Sequence, residues 1–195
     1  GAMDSTQAGG TQTTSDGSQD NVFIGAYAGS GDWENVVSSN NVGVGNYTMD
    51  AVMNGAVNNT SVGHNSLSAN TTGKNNTAIG QGAGYANTTG EQNVIVGAGA
   101  GATMTGLWYN TLVGYSAGNA IDSAGHGHCA FGYKALLNAS TGQQNMAIGY
   151  EAGDTITTGH KNTLVGYQAD VDTNSDSYQT KIGYYGIKKW KTARV

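Results

Sequence analysis

Apolar residues recur along this chain at intervals close to 17 residues, each time directly before a glycine. The recurring box reads Asn-x-x-(Ile/Val/Phe)-Gly, as in NTAIG over residues 76–80. Its glycine occupies ten positions, separated by 17 to 20 residues: Gly25, Gly45, Gly63, Gly80, Gly97, Gly114, Gly132, Gly149, Gly166 and Gly183. A fixed period over most of a chain indicates a solenoid in which each repeat forms one coil. We therefore predict an all-β protein, a parallel β-roll or solenoid of about ten coils.

Each coil repeats the same apolar and small positions, which we count from the box glycine as position 0. Position −1 is apolar and mostly β-branched, so we expect a short strand whose −1 side chain is buried. Position +3 is mostly alanine, which indicates close packing, and a glycine at +10 in five coils indicates a second turn. We expect the box glycine to adopt a positive φ or to allow a close approach at a corner. Two short strands per coil should form parallel sheets.

Position −4 carries an amide in nine of the ten coils, the exception being His128. Identical amides stacked one coil apart can hydrogen-bond along the axis, as they do in cross-β stacks, so we predict an asparagine ladder. With one β-branched residue and one alanine inside, a 17-residue coil would enclose little apolar volume. Such coils would be marginal alone, and we therefore expect them to be buried against other copies of the chain.

Composition narrows the function classes. Among 195 residues, 32 are glycine, none is proline and 11% are charged, which without the period would indicate disorder. The net charge is −5, yet five of the eight basic residues lie in the last fifteen positions and all thirteen acidic residues precede them. An acidic body argues against nucleic-acid binding. No apolar run reaches the roughly 20 residues of a membrane span, so we expect no membrane insertion by this segment.

We divide the chain into three segments. Residues 1–20 begin with Gly-Ala-Met, which has the form of a protease-cleavage remnant, and continue as a polar, flexible linker. Residues 21–166 form the repeat β-roll head. Residues 167–195 contain a coil in which the repeat decays, followed by a basic tip. We expect the chain to be a segment of a longer protein.

The repeated boxes also carry a family resemblance. The residues responsible are NTAIG (76–80), NTLVG (110–114), NMAIG (145–149) and NTLVG (162–166), followed by YSAG, YEAG or YQA. They resemble the head repeats of trimeric autotransporter adhesins, and still more the longer-period repeats of phage tail fibres and of the mosaic trimeric fibres of predatory bacteria. The resemblance covers about residues 21–184.

The resemblance implies three chains wound side by side into an intertwined homotrimer, with a left-handed parallel β-roll. It implies an extracellular location, on a cell surface or in a virion fibre. The ending IGYYGIKKWKTARV resembles the segment that precedes a self-cleaving intramolecular chaperone domain in such fibres. Autoprocessing near Val195 would then be a property of the parent protein.

Aromatic residues are the strongest candidates for ligand binding. All three tryptophans fall outside the repeated positions: Trp33 in an insertion, Trp108 beside Tyr109 in a recast turn, and Trp190 in the basic tail near Tyr185. Tryptophan offers a face to sugar rings or to a protein partner, although each could instead pack against its own chain. Tyrosines recur at position +1 in the C-terminal half, and for them stacking that seals an interface is the simpler interpretation.

A calcium site is the one metal site that we predict. Asp170, Asp172, Asn174 and Asp176 place four oxygen ligands at alternate positions, like the start of a calcium loop. The segment departs from that loop at Ser175, where glycine is expected, and at Lys181, where a bidentate glutamate is expected. A polar loop built on Asx-turns is the alternative.

Two other motifs have simpler explanations in the repeat. Gly-Tyr-Ser-Ala-Gly at 114–118 matches a nucleophile elbow, but that motif needs a strand-to-helix turn, and Ser116 occupies a variable repeat position. His126, His128 and Cys129 could ligate a transition metal. However, His128 and Cys129 occupy regular repeat positions, and His126 would then be a loop residue.

These observations predict a non-enzymatic trimeric fibre segment that acts as an adhesin or receptor-binding head. The expected target is an envelope carbohydrate of a host or prey cell, bound without a cofactor and with avidity from three copies. The alternative is a purely structural spacer, with binding elsewhere in the parent protein. An ice-binding surface of Thr-Thr pairs and a polysaccharide-degrading spike are further alternatives.

Overall fold

The computed structural model describes residues 18–31, 36–122 and 124–184. Each of the ten predicted coils contributes one strand of three residues. The strands are β1 (Val22–Ile24), β2 (Val42–Val44), β3 (Thr60–Val62), β4 (Thr77–Ile79), β5 (Val94–Val96), β6 (Thr111–Val113), β7 (Cys129–Phe131), β8 (Met146–Ile148), β9 (Thr163–Val165) and β10 (Thr180–Ile182). They form a single parallel sheet in chain order. The all-β solenoid is therefore confirmed.

Register is kept along the whole sheet, because each residue pairs with the equivalent position of the next coil. Thr77 lies opposite Val94 and Ile79 opposite Val96, one period later. The longer coil between β6 and β7 keeps the same register, with Val113 opposite Phe131. Extra residues are therefore accommodated in the turns. A slip of one residue would turn every strand side chain to the wrong face.

The prediction of two strands per coil is wrong, since each coil has one strand within the described residues. There, the second side of the coil makes isolated parallel bridges, Val57 with Lys74 and Glu91 with Trp108. At the Thr-Thr-Gly turn, the N–H groups of Thr71, Thr72 and Gly73 all donate to the carbonyl oxygen of Thr88, at 2.9, 3.1 and 3.3 Å. Three consecutive donors that converge on one acceptor require a curled backbone. In a β-strand, successive N–H groups would instead point alternately to opposite sides of the strand.

The prediction that position −1 is buried is also wrong. The middle residue of each strand, position −2, faces the interior, as Ala78, Ile95 and Leu112 do, whereas Ile79 at −1 is 41% exposed. Side chains alternate along a strand, so the buried asparagine at −4 and the residue at −2 share one face and −1 lies on the other. The apolar residues at −1 therefore form a stripe on the outer face of the sheet.

The core lies between the sheet and the returning half of each coil. The predicted close packing at +3 is confirmed, since Ala83, Ala100 and Ala117 are fully buried. Larger −2 side chains occupy space that glycines leave free. A Cβ on Gly84 would lie 3.0 Å from Cδ1 of Ile95, for example. The core also contains buried leucine, isoleucine and methionine, so it holds more apolar volume than the sequence indicated.

The predicted asparagine ladder is confirmed. In coil after coil, one amide oxygen accepts from both the backbone and the side chain of the next asparagine. The Oδ1 atom of Asn59 accepts from N of Asn76 at 3.0 Å and from its Nδ2 at 3.1 Å. The Nδ2 atom of Asn76 also donates across the coil to the carbonyl of Gly90 at 2.7 Å. These buried amides are therefore satisfied, as buried polar groups must be.

Both reasons predicted for the box glycine hold. Gly80 has a φ of +134°, and a Cβ built on it would lie 2.6 Å from the carbonyl carbon of Gly97 in the next coil. The corner carbonyls stack so closely that only glycine fits. The second glycine serves mainly for close approach, because a Cβ on Gly90 would lie 2.5 Å from the carbonyl oxygen of Leu107.

Candidate functional site

Trp108 lies at the surface and packs against a residue of the next coil. Its ring stacks on His126 of the next coil, with centroids 4.9 Å apart and planes inclined by 20°. Its backbone N–H donates to Nδ1 of the same His126 at 3.1 Å. The side chain is still 46% exposed. His126 occupies the repeat position equivalent to Trp108 and, as expected, lies in a loop outside the strands.

Tyr109 extends this aromatic surface. It is 65% exposed and its φ is +63°, in the left-handed region that bulky residues rarely adopt. The same corner of the other described coils also has a positive φ, so the strain belongs to the repeat: Asp20, Asn40, Asn58, Asn75, Gln92, Gly127, Gln144, Lys161 and Tyr178. We call Trp108, Tyr109 and His126 the aromatic patch. It brings together two of the predicted ligand-binding residues.

The other three predicted ligand-binding residues, Trp33, Trp190 and Tyr185, lie outside the described residues. They remain predictions. The ligand-binding hypothesis can therefore be examined at the aromatic patch and along the tyrosine column.

The tyrosines at +1 form the expected ladder. Tyr115, Tyr133, Tyr150, Tyr167 and Tyr184 stack in sequence, with ring centroids 5.5, 5.0, 5.0 and 5.3 Å apart. The planes of neighbouring rings are inclined by 18° or less. Each inner ring therefore uses both of its faces within the ladder and presents its edge to the surface. Stacking accounts for these residues, and Tyr115, the first ring of the ladder, stacks on a tyrosine at one face.

The segment predicted to bind calcium directs its carboxylates to partners in the chain. Asp170 accepts from the backbone N–H of Thr155 at 3.1 Å, and Asp172 forms an ion pair with Lys181 at 2.9 Å. Asp176 accepts from Oγ1 and N of Thr173, at 2.7 and 2.9 Å. Asn174 takes part through its backbone rather than its side chain, since its carbonyl oxygen accepts hydrogen bonds from N–H groups of the preceding coil.

This arrangement favours the turn interpretation of the segment. The hydrogen bonds from Thr173 lower the pKa of Asp176, which keeps it ionised as their acceptor. No group of three or more histidine, cysteine or acidic residues stands ready to hold a metal in the part of the chain that the structure describes. Calcium binding would require these carboxylates to exchange their partners.

A close carboxylate pair lies beside this segment. Burial, and then the neighbouring Asp170 carboxylate, raise the pKa of Asp154 to about 6. Two carboxylates this close cannot easily both ionise, so Asp154 retains a proton in mildly acidic solution and can donate a hydrogen bond to Asp170. Because the native pKa is raised, this proton stabilises the fold below the ordinary aspartate pKa and ceases to do so as the pH rises through about 6.

His128 acts as a member of the asparagine ladder. Its Nε2 lies 2.9 Å from the carbonyl oxygen of Gly142, and its Nδ1 accepts from N of Asn145 at 3.3 Å. These partners select the neutral tautomer with the proton on Nε2. Burial lowers its pKa to about 4, so the ring stays uncharged at neutral pH. Both ring nitrogens are engaged with the backbone, which favours the repeat interpretation over a metal site.

Ser116 does not stand in a nucleophile elbow. It follows β6 at a repeat corner with a φ of +51°, and the described part of the chain contains no helix after it. Ser116 lines an open groove of about 430 Å³ across neighbouring coils. The floor contains Gly82 and Gly99, and Tyr85 and Tyr115 also line it. We call this feature the glycine groove.

Sequence reasoning missed the glycine groove, which lies along the segments GQGAG (80–84) and GAGAG (97–101). The available signal was at position +2. Gly82 and Gly99 stand there in adjacent coils, whereas the adjoining coils on either side have Asn65 and Ser116. Two missing side chains next to each other along a solenoid leave a depression, and exposed tyrosines beside them are the residues to examine.

The fold defines the chain as a β-solenoid repeat protein with an exposed apolar sheet face. No family model matches the chain, and comparisons with curated proteins and with solved structures also find no match. No helix within the described ranges is long and apolar enough to cross a membrane.

Proposed function

We propose that this chain is a segment of a non-enzymatic trimeric fibre that binds a glycan on another cell or its envelope. The solenoid serves as a stiff rod, and each surface site is presented three times, which strengthens weak binding through avidity. The fibre would act outside the cell, as part of a cell surface or a virion. The observation that carries the proposal is the aromatic patch, a tryptophan held in place at the surface.

Self-association is supported by the outer face of the sheet. Residues at −1 in neighbouring strands form a continuous apolar stripe that includes exposed Val62, Ile79 and Phe131. Parallel sheets are ordinarily covered on both faces, and here the described chain covers only the inner one. Large exposed apolar patches mark interaction surfaces, and a second and a third copy of the same rod would match this stripe coil by coil.

Replacing Ile79 by glutamate should dissociate the assembly. The buried carboxylate would lack a partner in every copy, and an unpaired buried charge is costly. We expect the mass in light scattering to fall from three times the 19.9 kDa chain mass toward that of one chain. Thr89→Glu, at an exposed turn residue away from the sheet, is the matched control and should remain trimeric. If Ile79→Glu leaves the trimer intact, the outer face is not the interface.

Glycan binding is supported by the geometry of the aromatic patch. The stack on His126 supports one face of the Trp108 ring before a ligand arrives, and the backbone N–H of Trp108 holds that imidazole through its Nδ1. Pre-ordering an aromatic side chain lowers the entropic cost of binding. Tryptophan and tyrosine are also the side chains most often found at the centres of binding surfaces.

Trp108→Ala should weaken binding to the glycans that the native chain selects on an array at least tenfold, about 1.4 kcal/mol per site. Tyr109→Ala should weaken it as well. Tyr178→Ala is the matched control, because Tyr178 occupies the same corner as Tyr109 in another coil, has a φ of +60° and is 72% exposed. Light scattering should give the native mass for all variants. Equal binding by native chain and Trp108→Ala would remove the patch from the proposal.

A structural spacer is the second candidate, and the regularity of the rod favours it. The ladder of buried amides and the column of corner glycines continue through coils of different length. Such regularity suits a shaft. A trimer that binds no glycan on the array would favour the spacer.

A further inference from the structure

The glycine groove has a free aromatic face at one side. Tyr115 is the first ring of the tyrosine ladder and stacks with one face on Tyr133, at 5.5 Å. The equivalent residue of the preceding coil is Ala98, which also lines the groove and has no ring to cover the second face. Tyr85 lines the groove as well and is 48% exposed. The ladder therefore ends where the groove begins.

The floor of the groove is open because two side chains are missing. A Cβ built on Gly82 would meet no atom within 4 Å, and one on Gly99 would come no closer than 3.4 Å to Oγ of Ser116. The backbone beneath is held by the neighbouring coils, since N of Gly82 donates to the carbonyl of His64 and N of Gly99 to that of Gln81, both at 2.9 Å. The opening is thus part of a rigid surface. Its volume of about 430 Å³ falls within the range of about 300–1,000 Å³ typical of small-ligand clefts.

Neutral polar groups surround this opening. Asn65, Gln81, Ser116 and Asn119 line it, and among the described residues no acidic, basic or histidine side chain does. Asn119 already donates to the carbonyl of Gly99 at 2.8 Å. Within the described ranges, the side chains of Asn65, Gln81 and Ser116 have no hydrogen-bond partner in the chain, so their amide and hydroxyl groups are available to a ligand.

We propose that the glycine groove binds a pyranose ring of a neutral glycan, stacked on the free face of Tyr115 and hydrogen-bonded by Asn65, Gln81 and Ser116. The apolar C–H face of a sugar matches an aromatic face, and its hydroxyls match amides that both donate and accept. An acidic sugar would lose hydration without gaining a charged partner, so neutral sugars should be preferred. This proposal rests on the proposed glycan-binding function and assigns it a second site.

The experiment measures neutral disaccharides (cellobiose, lactose and N,N′-diacetylchitobiose) and acidic 3′-sialyllactose by saturation-transfer NMR and titration with the trimeric chain. We expect at least one neutral sugar to bind and sialyllactose to bind at least tenfold more weakly. Tyr115→Ala should weaken neutral-sugar binding at least tenfold. Tyr150→Ala is the matched control, because it removes a tyrosine from the same ladder away from the groove, and it should change binding less than twofold.

Gly82→Asn tests the groove without removing an aromatic ring. Asparagine tolerates the left-handed region, and Asn65 occupies the same repeat position with a φ of +57°, so the variant should fold. Its side chain would fill the floor and should weaken neutral-sugar binding at least tenfold. Binding that Trp108→Ala abolishes, but that Tyr115→Ala and Gly82→Asn leave intact, would overturn the groove and keep the proposed function. Absence of binding to any glycan would overturn both.

Discussion

Replacing Gly80 by alanine should unfold the coil around it and lower the free energy of unfolding by about 4 kcal/mol or more. The new Cβ would lie 2.6 Å from the carbonyl carbon of Gly97, and the φ of +134° is one that side chains rarely adopt. A shift of Gly80 alone cannot relieve the clash, because the carbonyl belongs to Gly97, the box glycine of the next coil. Denaturant unfolding at a fixed chain concentration measures the loss, since association also contributes to stability.

Gly82→Ala is the control for this experiment. It lies two residues further along the same turn and also has a positive φ, +64°, but a Cβ there meets no atom within 4 Å. We expect it to cost only about 1–2 kcal/mol, the ordinary penalty of the left-handed region. The difference between the two variants isolates the contact between stacked corners from the backbone conformation. Equal losses would contradict the role assigned to that contact.

Acidification should remove a stabilising contribution of His128, whereas protonation of Asp154 acts in the opposite direction below about pH 6. The pKa of His128 is about 4 in the folded protein and 6.5 in an ordinary environment, so the unfolded chain binds the proton first as the pH falls. The stabilisation is therefore complete above pH 6.5 and is lost progressively as the pH approaches 4. By linkage this shift corresponds to about 3 kcal/mol. The difference between the native chain and His128→Asn in chemical denaturation at pH values between 4 and 7 measures it, because the contribution of Asp154 is common to both.

His128→Asn should remove most of this dependence between pH 5 and 6.5. Asparagine is the ladder residue of neighbouring coils, and its amide could accept from Asn145 and donate to Gly142 as the imidazole does. His64→Asn is the control, because His64 is exposed and its loss changes the number of histidines equally. If the His128→Asn and His64→Asn variants keep the same pH dependence, the acid sensitivity arises at other groups.

The features that the sequence predicted correctly are those in which a residue contacts its own equivalent. The amides of Asn59 and Asn76, and the corners at Gly80 and Gly97, are neighbours because one period separates them along the chain. A period therefore identifies contacts along the axis without any knowledge of the path of each coil. For the same reason, the number of coils and the tyrosine ladder could be inferred directly.

Features within a coil were harder to infer. The −1 residues were expected inside, although the buried asparagine at −4 and the alternation of a strand imply that they point outward. Consistent use of that alternation would have corrected the error. The single strand per coil could not be inferred in this way. The Thr-Thr-Gly sequence is compatible with the end of a strand and also with the curled turn whose N–H groups donate to the carbonyl oxygen of Thr88.

Contacts between different positions of neighbouring coils were decided only by the tertiary structure. The glycine groove brings together Tyr85 and Tyr115, which occupy different repeat positions in different coils. The period specifies which equivalent residues stack along the axis, whereas the path of the backbone around each coil decides which different positions become neighbours.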